Sequence, residues 1–409
     1  MPTLRRKVWV TIAIVLLYRL GCYVPLPMVP LHELNLEVSG ATQLMQMFSG
    51  GALSHVGLLS LGIMPYISTQ IVLQMLEAVF PSLQDRWGKD QAGADARTRL
   101  CRVVSVGVAA VTAFGYVMMY QRLGFDLTST TYPMWLVVLT IAFALTVGEV
   151  IIMWLTELID QFGIGNGTSM IIFANVISSI GAALVGSWTL DAAAIAQNVA
   201  VIVGIVAITF AIAYVESASR RLPVTYGRSR GPMLGGAHTT YLPIKVNTAG
   251  MVPVIFASTI LYIPYYIAQL VPNADGLRVA ATFVTTGWPY WVLEVILIVV
   301  TSYFYSQTVL DPEKTADQLR KSGGFINGIR PGRPTEDYIR SIIKHMSLVG
   351  ALWMALLAVI PQVAHFVTGN QILSVVGGTS MLIVVGTLVD LTQRIDNERK
   401  QSNYDTLFR

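Results

Sequence analysis

Charge is scarce in this chain. Only 12% of its 409 residues are Asp, Glu, Lys or Arg, about half the share in an ordinary soluble domain. With 54% hydrophobic residues and a mean hydropathy of +0.60, a soluble globular fold is excluded. There are two cysteines, Cys22 and Cys101, and five scattered histidines; neither set has metal-ligand or redox spacing, so no cofactor or metal is expected. The Gly-rich stretch "GIGNG" lacks the Lys and Ser or Thr of a phosphate loop. No nucleophile and base stand in a catalytic pattern, and an enzyme is not expected. Any energy the protein uses must come from another protein or from the membrane potential.

Long apolar runs fill the space. They lie near 8–24, 56–79, 103–120, 134–156, 168–187, 195–215, 248–271, 289–310, 341–360 and 371–391, each close to the length that crosses a bilayer as a helix. The net charge is +4, and its distribution reports orientation. Of 27 Lys and Arg, 24 lie in the two tails or in every second loop, Arg122 and Arg278 lie on the other side, and Arg19 lies within the first run. Both termini are therefore predicted to be cytoplasmic. That topology puts Cys22 and Cys101 at opposite faces, where they cannot form a disulfide. No small-residue cleavage site follows the first run, which is expected to stay as an anchor.

The sequence echoes itself. "GTSM" occurs at 167–170 and again at 378–381, and "GIMPYIS" at 62–68 has a looser counterpart in "GMVPVIFAS" at 250–258. Spans two and five thus match spans seven and ten, as a duplicated five-span unit would. An odd number of spans sends the second unit through the membrane in the opposite sense, giving inverted halves, 1–187 and 188–409, with the functional path at their seam. Close packing of small residues is the alternative reading of "GTSM".

Around the echoes stand Ile63, Ile67, Ile172, Ile255 and Ile383, with no ionisable residue among them. Such a ring can block water and ions by dewetting; lipid-facing or core packing is the alternative for each isoleucine. Pro65 and Pro253 fall inside apolar runs and are expected to kink or break helices. The polar stretch from Pro30 to Leu58 is too polar to span and reads as a re-entrant half-helix. Glu149 and Glu294 lie within spans, where a carboxylate costs about 2.5–3.5 kcal/mol at a helix centre. They are candidates for function or for buried polar pairs. Two long basic loops, 216–247 and 311–340, could meet lipid headgroups, RNA or an acidic protein surface.

Longer stretches identify a family. "MFSGGALSHVGLLSLGIMPYISTQIVLQML", "MWLTELIDQFGIGNGTSMIIF", "YLPIKVNTAGMVPVIFAS", "DPEKTADQLRKSGGFINGIRPG" and "VGGTSMLIVVGTLVD" closely resemble the bacterial SecY family, the channel-forming subunit of the protein-secretion translocase, across nearly all ten spans. The resemblance implies an all-α, ten-span, multi-pass protein of the bacterial cytoplasmic membrane that passes unfolded preproteins across it and membrane segments laterally into it. It implies a pore ring of Ile63, Ile67, Thr168, Ile172, Ile255 and Ile383, and a plug near 43–53 that includes Gln46, Phe48, Ser49, Gly50 and Gly51. It implies a lateral gate between spans two, three, seven and eight with Ser68 and Gln74 on its second-span side, and a hinge near spans five and six. The loops would dock the SecA motor or the ribosome through Arg228, Arg230 and Arg330. Further implied partners are SecE-like and SecG-like small subunits, signal-sequence-bearing polypeptides and membrane lipid.

Some features depart from the family pattern. Thr168 is polar where an aliphatic residue is usual, Glu149 is unexpected in its span, and the loop tip "SRGPMLGGA" lacks paired arginines. A paralogue serving a restricted set of clients fits these departures. A solute transporter using Glu149 or Glu294, or a non-conducting scaffold, are the rival readings.

Overall fold

A computed structural model describes residues 2–27, 48–53, 56–88, 91–122, 133–186, 192–226, 239–270, 276, 287–369, 373 and 377–407. In chain order the elements are α1 (Pro2–Gly21), α2 (Met64–Val79), α3 (Pro81–Gly88), α4 (Gln91–Arg122), α5 (Met134–Phe162), α6 (Gly167–Gly186), α7 (Ala192–Ser217), β1 (Ser219–Tyr226), β2 (Thr239–Lys245), α8 (Val252–Leu270), α9 (Trp288–Val309), α10 (Pro312–Lys321), β3 (Gly324–Ile326), α11 (Arg333–Thr368) and α12 (Gly378–Leu407). Six of the helices, α4, α5, α6, α7, α9 and α11, are long and apolar enough to cross a membrane. With α1, α2, α8 and α12 they make ten spans of a multi-pass membrane protein. Helices and apolar runs differ at their ends: α11 and α12 continue well past the predicted runs into polar sequence, because hydropathy marks only the lipid-crossing part of a helix. The second run, expected from 56, becomes helical only at Met64.

Pro65 and Pro253 do not kink their helices. Each is the second residue of its helix, α2 or α8, where a backbone N–H would have no helical partner anyway and the fixed φ favours helix initiation. The two starts share a further detail. Gly62 at φ +62° and Gly250 at φ +65° each stand two residues before the first helical position, in the left-handed region that a side chain disfavours. The looser echo is thus a repeated backbone turn as well as a repeated phrase. The interior prolines are instead Pro264 of α8 and Pro361 of α11.

Helix pairings recur between the halves. In the first, α2 packs on α4, α4 on α5, α5 on α6 and α1 on α6; in the second, α8 packs on α9, α9 on α11, α11 on α12 and α7 on α12. Across the seam α2 meets α8 and α6 meets α12, so each echoed helix lies against its own counterpart. The "GTSM" glycines are also packing residues. A Cβ on Gly167 would meet the Thr156 backbone of α5. One on Gly378 would meet the Leu357–Ala358 backbone of α11, 2.5 Å from the Ala358 Cα.

The two long polar segments are not simple loops. They form a three-stranded antiparallel sheet in the order β2-β1-β3, with Leu222 opposite Leu242 and Val224 opposite Ile326. Leu222, Val224, Ile244 and Ile326 turn inward onto Ile339, Ile342 and Ile343 of α11, while Arg220 and Arg221 remain exposed. Asp311 caps α10 by accepting from the backbone N–H groups of Glu313 and Lys314.

Gly378→Ala is expected to cost about 1–3 kcal/mol, since backbone cannot yield to the added methyl, and to lower the thermal midpoint in detergent by several degrees. Gly107→Ala, whose Cβ meets nothing within 4 Å, is the control and is expected to leave the midpoint unchanged.

Candidate functional site

Isoleucine from four helices collects where the halves meet. Ile63 and Ile67 at the start of α2, Ile172 of α6, Ile255 of α8 and Ile383 of α12 belong to one buried cluster, each at most 5% exposed. These are five of the six residues expected in the ring. The sixth, Thr168, is half-buried in the first turn of α6. That turn is ordered locally: Asp160 accepts from the Gly167 N–H at 2.7 Å and Asn166 Oδ1 from the Ser169 N–H at 3.2 Å. Phe48 lies in the same cluster, 1% exposed.

The segment around Phe48 is pinned from two sides. Its far end pairs with the chain after α1: Pro25 bridges Gly57, the Leu26 N–H donates to the Val56 carbonyl at 3.0 Å, and the Leu58 N–H donates to that of Val24 at 2.7 Å. At its near end, three successive carbonyls face side chains of α1 and α6. Asn175 Nδ2 donates to Phe48 O and to the Tyr18 hydroxyl, both at 2.8 Å. Cys22 Sγ approaches Ser49 O at 3.9 Å. Arg19 donates to Gly50 O at 2.8 Å through Nη1 and to the Ser178 hydroxyl through Nη2.

This polar group was not assigned a role from the sequence. Its one signal there is Arg19, a cation inside an apolar run; Asn175 and Ser178 read as ordinary small polar residues. Of the other expected plug residues, Ser49 is fully buried and Gly50 and Gly51 follow it in the turn. Gln46 lies outside the described residues.

The expected gate helices are in contact. The helix α8 packs on α2, α4 and α9, and α2 packs on α4; Ser68 and Gln74 are half-buried on α2. An ion pair between Arg97 of α4 and Glu77 of α2 ties two of these helices together. Arg330 is exposed in the turn between β3 and α11, where its carbonyl accepts from the Thr335 hydroxyl at 2.8 Å. Arg228 and Arg230 lie outside the described residues.

Both intramembrane glutamates are fully buried and both have polar partners. Ser105 Oγ donates to Glu149 Oε1 at 2.6 Å, joining α4 to α5. Gln362 Nε2 of α11 donates to Glu294 Oε2 at 3.0 Å, joining α9 to α11.

Comparison with known proteins places this geometry. The family model described as SecY matches residues 57–392. A protein translocase subunit SecY of Corynebacterium glutamicum is 34% identical over 438 residues, covering 99% of this chain and 97% of its own length. Among solved structures, one described as a protein conducting channel aligns with a TM-score of 0.68 at 19% identity, over 97% of this chain and 93% of that one. Sec61 in the canine ribosome-channel complex from the endoplasmic reticulum aligns with a TM-score of 0.65 at 18% identity, over the same shares. The fold is that of these channels, with ten membrane helices in two halves.

Burial separates the cluster from the lipid face. Ile383→Ala is expected to cost about 2–4 kcal/mol through the cavity it leaves. The same truncation at Leu388, on the same helix but 40% exposed, is expected to cost a small fraction of that; thermal melts of the two purified variants read the difference.

Proposed function

The chain belongs to the SecY family and is a protein-conducting channel, and on that premise we propose that a plug, an apolar ring and a lateral gate open it to unfolded polypeptide. The observation that carries this reading is that Ile63, Ile67, Ile172, Ile255 and Ile383, brought from α2, α6, α8 and α12, share with Phe48 one buried cluster, which also takes in residues of α1, α4, α5 and α9. In the resting protein the five isoleucines exclude water and ions, because a narrow aliphatic lumen dewets. Thr168 lines the same passage at one edge and contributes no aliphatic seal. The segment 43–53, with Gln46, Phe48, Ser49, Gly50 and Gly51, is the plug that covers the ring.

Opening is a parting of halves. Residues 1–187 and 188–409 separate about a hinge near α6 and α7. The contacts of α2 and α4 with α8 and α9 then give way, with Ser68 and Gln74 on the gate. A signal sequence or membrane segment enters that gate and leaves into lipid, while the translocating chain fills the ring and limits leakage.

The polar end is the docking end. Lys7 and Glu398 pair at 2.6 Å, which supports both chain ends lying at one face. The bias of basic residues makes that face cytoplasmic in a bacterial membrane. The sheet and α10 lie in the segments predicted for the same side, and Arg330, with Arg228 and Arg230, forms a cationic surface for the SecA motor or the ribosome. SecE-like and SecG-like subunits complete the assembly.

Two experiments on the ring test this. In a variant with Cys22 and Cys101 replaced, a single cysteine at position 255 is expected to crosslink to a secretory chain arrested midway through export, and one at the lipid-facing position 388 is not. Absence of crosslinking at 255, with the arrested chain present and the protein folded, would overturn the pore assignment. Ile255→Asp is expected to raise the resting ion conductance of the reconstituted protein by at least about tenfold, since a carboxylate holds water in the constriction.

A further inference from the structure

Three consecutive carbonyls, of Phe48, Ser49 and Gly50, stand where helical residues give way to a turn, a point at which backbone acceptors lose their helical partners. In a membrane such acceptors need donors; α1 and α6 supply them to Phe48 O and Gly50 O, while Ser49 O takes the Ala52 N–H of its own turn at 3.3 Å. Arg19 bridges Gly50 O and the Ser178 hydroxyl, and the fully buried Asn175 bridges Phe48 O and the Tyr18 hydroxyl. The fit is tight: a Cβ on Gly50 would meet Asn175 Oδ1, and would lie 2.6 Å from Arg19 Nη1.

We infer that Arg19, Asn175 and Ser178 form a latch that holds the plug over the ring and sets the resting balance between the closed and open channel. This rests on the plug reading above. Arg19 and Asn175 are positioning residues: they do not line the isoleucine ring, yet the plug cannot leave without breaking their bonds to its backbone. A hydrogen bond from a guanidinium to a carbonyl is among the stronger ones available, and its acceptor here is main chain. The latch therefore acts on the backbone, whatever side chains the plug carries.

Resting ion conductance of the full-length reconstituted protein, compared with that of a variant lacking residues 43–53, tests the latch. Arg19→Leu is expected to raise the open population at least about tenfold, the loss of one charge-assisted bond, and to bring the leak towards that of the plug-less variant. Arg19→Lys is expected to restore most of the closure, and Asn175→Ala to leak to a smaller extent than Arg19→Leu. Asn175→Ala also keeps the question open to measurement if Arg19→Leu does not fold. Both latch variants should export a precursor with a weakened signal sequence better than the parent, which a merely destabilised protein would not do. If the plug-less variant leaks while Arg19→Leu and Asn175→Ala stay at the parental level, the latch is wrong and the plug reading stands. If the plug-less variant does not leak, the plug reading itself falls, and the latch with it.

Discussion

An apolar contact between helices of the two halves organises this molecule. Within a bilayer, helices gain little hydrophobic driving force from meeting each other, since lipid is as apolar as leucine; close packing and a few interhelical hydrogen bonds decide which faces join. Ile63, Ile67, Ile172, Ile255, Ile383 and Phe48 sit in such a joint, within a larger cluster that continues into α1, α4, α5 and α9. Aliphatic side chains interlock without directional bonds, so the joint can separate and re-form with no partner left unsatisfied. The stronger, directional contacts lie beside it, between the Phe48–Gly50 carbonyls and the polar side chains of α1 and α6.

The glycines of the "GTSM" echo show how firmly the rest is held. Gly167 presses on α5 and Gly378 on α11 at equivalent points of the two halves. The small-residue packing reading of that motif therefore holds in both halves.

Much of this was legible in the sequence, for physical reasons that can be named. Ten apolar runs report ten crossings because a bilayer imposes one length on every span. The isoleucines could be picked out because they flank motifs that occur twice. Other features were hidden. The prolines were misjudged because hydropathy runs across the turn before α2 and α8, and only the left-handed Gly62 and Gly250 mark where the helices begin. The pairing of β3 with β1 was invisible because the two strands are about a hundred residues apart, and pairing at that range leaves no local periodicity. Asn175 reads as an ordinary small polar residue of a membrane helix until the fold brings Phe48 to it. Glu149 and Glu294 looked alike in sequence, and only their separate partners, Ser105 and Gln362, distinguish them.

The sheet has a mechanical consequence. Its strands leave α7, enter α8 and follow α10, which continues from α9, and its inner face is bonded to α11. Among the described residues, the helices that its strands join or pack on belong to the second half. A load applied to the sheet is therefore delivered to one side of the seam alone.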